Sequence, residues 1–330
     1  MKHHDHDMAQ GGHHLHGSVD PTLVTTEKGI YAIKWSMLGL GLTAVFQAFL
    51  VVITSSAALL ADTIHNLGDA ATAVPLWIAF LLARKKPSSR FSYGYGRVED
   101  VAGIVILFIM LLSAALAGRV ALVGLVQPAD IQYPIVIAVG SCIGFLGNEW
   151  VARFRIRIGQ QIQSAALIAD GYHARADGLT SLGVVLGALG VWLGYPRADP
   201  LIGLVITVVI FKICWDVSKS LFTRLLDGVD PDVIPEVRHA ASHVPEVLDI
   251  TEVRVRWMGH RMWAEVNIAV DSERSVQEGH AIAGEVRHRL LHHLPYLANA
   301  TIHVDPANAS GERHHALEEH RHDDLPSHSH

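Results

Sequence analysis

Two ten-residue stretches carry the same arrangement of ionisable side chains. Ala61-Asp62-Thr63-Ile64-His65-Asn66-Leu67-Gly68-Asp69-Ala70 and Ala169-Asp170-Gly171-Tyr172-His173-Ala174-Arg175-Ala176-Asp177-Gly178 both read A-D-x-x-H-x-x-x-D followed by a small residue. Residues four apart share a helix face, so His and Asp project together in each copy. Two such helices facing each other would present two imidazoles and two carboxylates to one point, a four-ligand set for a divalent metal. Both copies lie inside long apolar segments. There an Asp costs about 2.5–3.5 kcal/mol on insertion scales, and ionisable groups are functional by default. Polar side chains also bridge helices by hydrogen bonds, but that alternative explains a single acid more readily than a repeated motif. Asp62 and Asp170 precede each His by three residues and point only partly toward the same face. They are candidate supporting acids: acceptors for the His N–H, proton-relay groups or cation attractors. Asn66 reads as a helix-bridging group and Arg175 as a partner for a nearby acid.

The elements that must position these groups follow from composition. Of 330 residues, 50% are hydrophobic and 18% charged, with mean hydropathy +0.29. That balance points to a membrane protein with a soluble part. The net charge of −6 gives no electrostatic case for nucleic acid. The two cysteines, Cys142 and Cys214, sit in apolar runs, which argues against a disulfide framework or a Cys-type zinc site. The first twenty residues are polar and His-rich, with no apolar core of a signal peptide.

Six segments are long enough to span a bilayer: Ile30–Ile53, Ala57–Ala83, Val98–Val126, Ile131–Ala152, Ile162–Leu193 and Pro200–Phe222. Basic residues orient them. Arg84, Lys85, Lys86, Arg90 and Arg97 follow span two, and Arg153, Arg155 and Arg157 follow span four, whereas the other loops hold only Arg197. Both termini and the basic loops are therefore expected in the cytoplasm. Spans two and five then run antiparallel, so each His of one motif lies near the level of the other motif's Asp.

After Phe222 the composition becomes mixed. Pro231–His243 has helical spacing. Leu248–Met258 and Met262–Val270 read as strands around a Gly259-His260 turn. Ser275–Leu294 reads as a helix opened by a Ser275/Glu278 capping box, and Ala300–Val304 as a last strand. The order α-β-β-α-β makes a small α+β domain. The expected organisation is thus a His-rich disordered tail over 1–27, a six-helix transmembrane domain over 28–223, a cytoplasmic domain over 224–306 and a second His-rich tail over 307–330. Of 22 histidines, six precede residue 17 and six follow residue 313. Such tails bind zinc weakly and would concentrate metal locally.

The chain resembles the cation diffusion facilitators, proton-coupled exporters of divalent metals. The resemblance rests on Leu60 to Asp69, on Phe91-Ser92-Tyr93-Gly94-Tyr95-Gly96-Arg97-Val98-Glu99-Asp100, on His173-Ala174-Arg175-Ala176-Asp177 and on Ile302-His303-Val304-Asp305-Pro306, in that order. It implies six spans, a ferredoxin-like cytoplasmic domain, a homodimer in the cell's inner membrane, and a transport site made by His65, Asp69, His173 and Asp177. It further implies an ion pair between Arg97 and Asp227. It places a regulatory metal at His280, His303 and Asp305, although two further ligand positions hold Thr251 and Asn267. Histidines of a loop site in some relatives are replaced by Phe91 and Tyr95, so no metal is expected there.

The two-His, two-Asp set suits tetrahedral zinc first, with iron, cobalt or cadmium as alternatives. Loading such a site releases protons, and the imidazoles of His65 and His173 are the natural coupling groups. Export in exchange for protons by alternating access is the expectation. A membrane metal sensor that binds without transporting is the alternative from another class. An intramembrane metallohydrolase lacks its H-E-x-x-H signature, and the absence of G-x-x-x-x-G-K-[ST] argues against a nucleotide. No prosthetic group and no enzymatic activity are expected; zinc is cargo and possible regulator.

Overall fold

A computed structural model describes residues 21–54, 73–126, 134–195, 197–294 and 296–311. The His-rich tails, apart from their inner ends, and the segment holding Asp62, His65, Asn66 and Asp69 lie outside the described residues. The membrane-type helices are α1 (Pro21–Thr54), α2 (Ala73–Ala83), α3 (Val98–Val126), α4 (Pro134–Ile162), α5 (Ala165–Trp192) and α6 (Ala198–Leu225). α1 therefore begins inside the stretch read above as a tail. Among the described residues four helices, α1, α3, α5 and α6, are long and apolar enough to cross a membrane. Leu42, Phe49, Phe108, Leu112, Val208 and Trp215 are exposed on the outside of the bundle. In water such a surface is unfavourable, but against lipid it is the expected one.

One expectation is corrected. Arg153, Arg155 and Arg157 do not form a loop after the fourth span. α4 continues past Ala152 to Ile162, because no Gly-Pro breaker interrupts it and Arg155 finds a buried partner. A tight corner at Gln163 (φ 57°) then turns the chain into α5.

α5 is central and packs against α4, α6 and α3, while α3 packs on α6 and α1 on α4. The α4–α5 seam is closed by Gly171. A Cβ there would lie 2.6 Å from the Ile156 side chain, 3.0 Å from Ile156 N and 3.2 Å from Ala152 O, so any larger residue would press the two helices apart. The shared core joins Ile33, Leu76, Phe80, Ile106, Met110, Leu167 and Cys214.

The C-terminal domain comprises α7 (Val233–Ser242), β1 (Asp249–Met258), β2 (Arg261–Val270), α8 (Val276–His293) and β3 (Leu297–Pro306). The sheet order is β1-β2-β3, with β1/β2 antiparallel and β2/β3 parallel across α8. Alternate residues Met262, Ala264, Val266, Ile268 and Val270 are buried with Val237, Ala241, Val286 and Leu290 of the two helices. The capping box forms: Ser275 Oγ accepts from the Glu278 N–H and Glu278 Oε2 accepts from the Ser275 N–H. The Ser275 backbone N–H foremost, then the Ser275 hydroxyl and the Arg274 side chain, hold the Glu278 carboxyl below its ordinary range.

Candidate metal centre

The second motif copy is set on α5 by its N-cap. Ser164 Oγ accepts from the Leu167 N–H at 3.0 Å, satisfying one of the helix's open donors. Beyond the cap, Asp170, His173 and Asp177 are 0%, 2% and 6% exposed. His173 Nδ1 lies 3.4 Å from Asp177 Oδ2, as the four-residue spacing requires. Both residues border a cavity of about 90 Å³ shared with Met110 and Ser113 of α3, Thr180 of α5 and Ile210 of α6. Neither ring nitrogen of His173 makes a hydrogen bond among the described residues. A buried imidazole with unspent nitrogens beside a carboxylate has the donor chemistry of half a metal site. The other half, His65 and Asp69, and the supporting candidate Asp62 lie outside the described residues.

Asp170 turns away from this cavity. It meets Arg155 of α4 with Oδ2 3.0 Å from Nη1, and the two side chains are 0% and 1% exposed. The contact is a charge pair outside good hydrogen-bond alignment. Three residues before His173 the helix has rotated far enough to face α4 rather than α3. Arg175 pairs with Glu149 of α4, each of two contacts at 3.3 Å, and Glu149 also takes Arg153 at 2.7 Å. Glu149 carries no motif signal in the sequence.

At the membrane end of the cytoplasmic domain, Arg97 Nη2 donates to Asp227 Oδ1, and its Nη1 donates to the Leu225 carbonyl at 3.3 Å. Asp227 holds φ 61°, a left-handed conformation that Asp tolerates better than most residues. The Phe91 and Tyr95 rings pack on one another at 5.0 Å.

In the cytoplasmic domain His303 Nε2 lies 2.9 Å from Asp305 Oδ1 on β3, and His280 is exposed on α8. Asn267 Nδ2 donates to Glu252 Oε2 at 3.2 Å, and Thr251 Oγ1 donates to the Asn267 carbonyl at 3.4 Å. Among the described residues no group of three His, Cys, Asp or Glu side chains is arranged to hold a metal. Within one chain His280, His303 and Asp305 therefore do not form a three-ligand cluster. Two buried residues carried no assigned role in the sequence, Glu99 and His260. They bond to each other between the two domains. An acid in a helix's first turn and a His in a hairpin turn are each ordinary, and only their meeting is informative.

Comparison with known proteins gives this geometry its context. The family description "Cation efflux transmembrane domain" matches residues 33–226, and "Cation efflux protein, cytoplasmic domain" matches residues 229–307. The chain is 47% identical over 304 residues to a "Probable cation efflux system protein" of Mycobacterium tuberculosis, covering 92% of this chain and 90% of that one. It is 23% identical over 269 residues to "Magnetosome protein MamB" of Paramagnetospirillum magneticum, covering 81% of this chain and 91% of that one. It is 25% identical over 269 residues to "Manganese efflux system protein MneP" of Bacillus subtilis, covering 79% of this chain and 90% of that one. With a helical membrane domain and a small α+β domain matched in that order, the chain belongs to the cation efflux family, the cation diffusion facilitators, multi-pass membrane transporters of divalent metal cations.

Proposed function

We propose that the chain exports Zn2+ from the cytoplasm in exchange for protons, by alternating access around His65, Asp69, His173 and Asp177. The observation that carries this reading is the buried His173–Asp177 pair bordering a cavity between α3, α5 and α6. Imidazole and carboxylate together favour a tetrahedral borderline metal over the all-oxygen set that harder cations prefer. Metal binds only the deprotonated ligands, so cytoplasmic loading drives protons off and outward release takes them back. In this reading the protein is a homodimer of the inner membrane with both termini in the cytoplasm. His280, His303 and Asp305 would take regulatory metal with help from the partner subunit or the tail. Asp62 is a supporting acid, and Asp170 serves the ligand helix through its pair with Arg155.

Purified protein in proteoliposomes tests this. Zn2+ influx into vesicles should run with counterflow of protons, and Asp69→Ala or His173→Ala should abolish both fluxes. Competition by Fe2+, Co2+, Cd2+ and Mn2+ ranks the cargo. Binding of zinc with no flux in the wild type would replace the exporter by a sensor.

A further inference from the structure

A buried polar chain joins the cytoplasmic domain to the ligand-bearing helix. It starts at the tip of the β1–β2 hairpin. Gly259 takes φ +67°, and a Cβ on it would lie 2.5 Å from the Gly96 carbonyl oxygen, while a Cβ on Gly96 would lie 2.5 Å from the Met258 carbonyl oxygen. The two backbones touch, and the turn delivers His260 into the protein at 2% exposure. There the Nδ1–H of His260 donates to Glu99 Oε2 at 2.6 Å, and its backbone N–H donates to the same oxygen at 3.2 Å. The second carboxylate oxygen of Glu99 accepts from Ser164 Oγ at 2.5 Å. Ser164 is the N-cap of α5. On its far side, His260 Nε2 lies 3.2 Å from Thr26 Oγ1 of α1, and its ring packs 5.6 Å from that of Phe80 in α2.

Each oxygen of Glu99 thus serves a different domain. One reads the hairpin and the other holds the first turn of α5, about two and a half turns before His173. A carboxylate at 1% exposure is costly unless its bonds are made. An apolar contact would dock the hairpin at less cost, but it would fix no direction. Displacing the hairpin forces Glu99 either to lose a bond or to follow, and following pulls on the α5 cap.

We propose that His260 and Glu99 are positioning residues for transport: through Ser164 they make the placement of α5, and so of His173 and Asp177, depend on the seat of the cytoplasmic domain. This rests on the reading of His173 and Asp177 as ligands. The pair acts on the exchange between states and not on metal affinity, so it governs turnover.

The test is zinc flux in proteoliposomes, with hydrogen exchange on the same full-length protein. His260→Ala should lower turnover about tenfold while the half-saturating zinc concentration stays within about twofold of wild type. His260→Asn places an amide N–H where Nδ1–H stood and should recover turnover to within about twofold of wild type. Adding Ser164→Ala to His260→Ala should cost less than about a further twofold, because both break one chain. Amides over residues 165–170 should exchange faster in His260→Ala without metal. The proposal is overturned if His260→Ala keeps wild-type turnover, if His260→Asn is as impaired as His260→Ala, if the two losses multiply, or if exchange over 165–170 is unchanged. Absence of flux in the wild type would instead remove the exporter reading, and the exchange result would still decide the link.

Discussion

Arg155→Ala is the sharpest perturbation of the membrane domain that the proposed ligands do not share. In the wild type Arg155 and Asp170 are 1% and 0% exposed and 3.0 Å apart. Removing the guanidinium leaves a carboxylate buried between α4 and α5 with its counter-charge gone. Breaking a buried pair in this way costs about 3–5 kcal/mol. At about 2–4 °C per kcal/mol for a domain of this size, the melting temperature should fall by roughly 6–20 °C. Replacing both partners with apolar side chains of similar volume, Arg155→Met with Asp170→Leu, removes the charges together and should recover most of that loss. Scanning fluorimetry in detergent measures the melting temperatures, and zinc flux in proteoliposomes follows on the same preparations. If Arg155→Ala melts with the wild type, or the double variant is no more stable than Arg155→Ala, the pair is not what holds this seam. Flux in the double variant then separates two roles for Asp170. Retained flux assigns the carboxylate to the seam, whereas loss at full stability returns it to the cation or proton path.

Three further variants test local geometry in the two domains. Gly171→Val sets a branched side chain 3.0 Å from Ile156 N and should destabilise the membrane domain by about 1–3 kcal/mol. Gly41→Ala on α1, where nothing lies within 4 Å, should be neutral or stabilising by up to about 1 kcal/mol, and fluorimetry of the two variants makes the comparison. Ser275→Ala should cost the cytoplasmic domain about 1 kcal/mol at neutral pH. The Glu278 carboxyl is held below its ordinary value of 4.5, chiefly by the Ser275 backbone N–H, so its own share in the cap is present above 4.5 and fades as pH falls through the lowered folded value. Ser275→Ala keeps that backbone N–H and loses the Oγ bond to the Glu278 N–H, which does not titrate, so melting curves of wild type and Ser275→Ala should draw together only in part on acidification.

Much of this architecture is written in local pattern. The alternation from Met262 to Val270 and the Ser275/Glu278 pair mark β2 and α8 with little help from tertiary structure, because burial on one face and a satisfied cap are local requirements. The His173/Asp177 pairing is equally local, being one helical turn. What stayed hidden depends on partners distant in sequence. Arg155 reads as a basic loop residue until Asp170 is seen opposite it. Glu149 has no motif, yet it holds two arginines. Glu99 and His260 lie 161 positions apart in the chain, and no spacing rule links them. The extension of α4 is hidden for a related reason: charge density looks like a helix end when the acid that neutralises it lies on the next helix.

The seam between α4 and α5 has a mechanical consequence. Backbone lies on backbone at Gly171, a buried charge pair crosses at Arg155–Asp170, and Glu149 clasps Arg175 one turn further along. Sliding α5 along α4 would have to break all three at once. The two helices are therefore one lever, and the softer boundaries are those α5 shares with α3 and α6, where His173 and Asp177 meet their cavity. In the proposed export cycle, a movement that opens His173 and Asp177 to the other side of the membrane must carry α4 with it, so a tether placed on α4, far from both residues, should arrest that cycle as firmly as one on α5 itself.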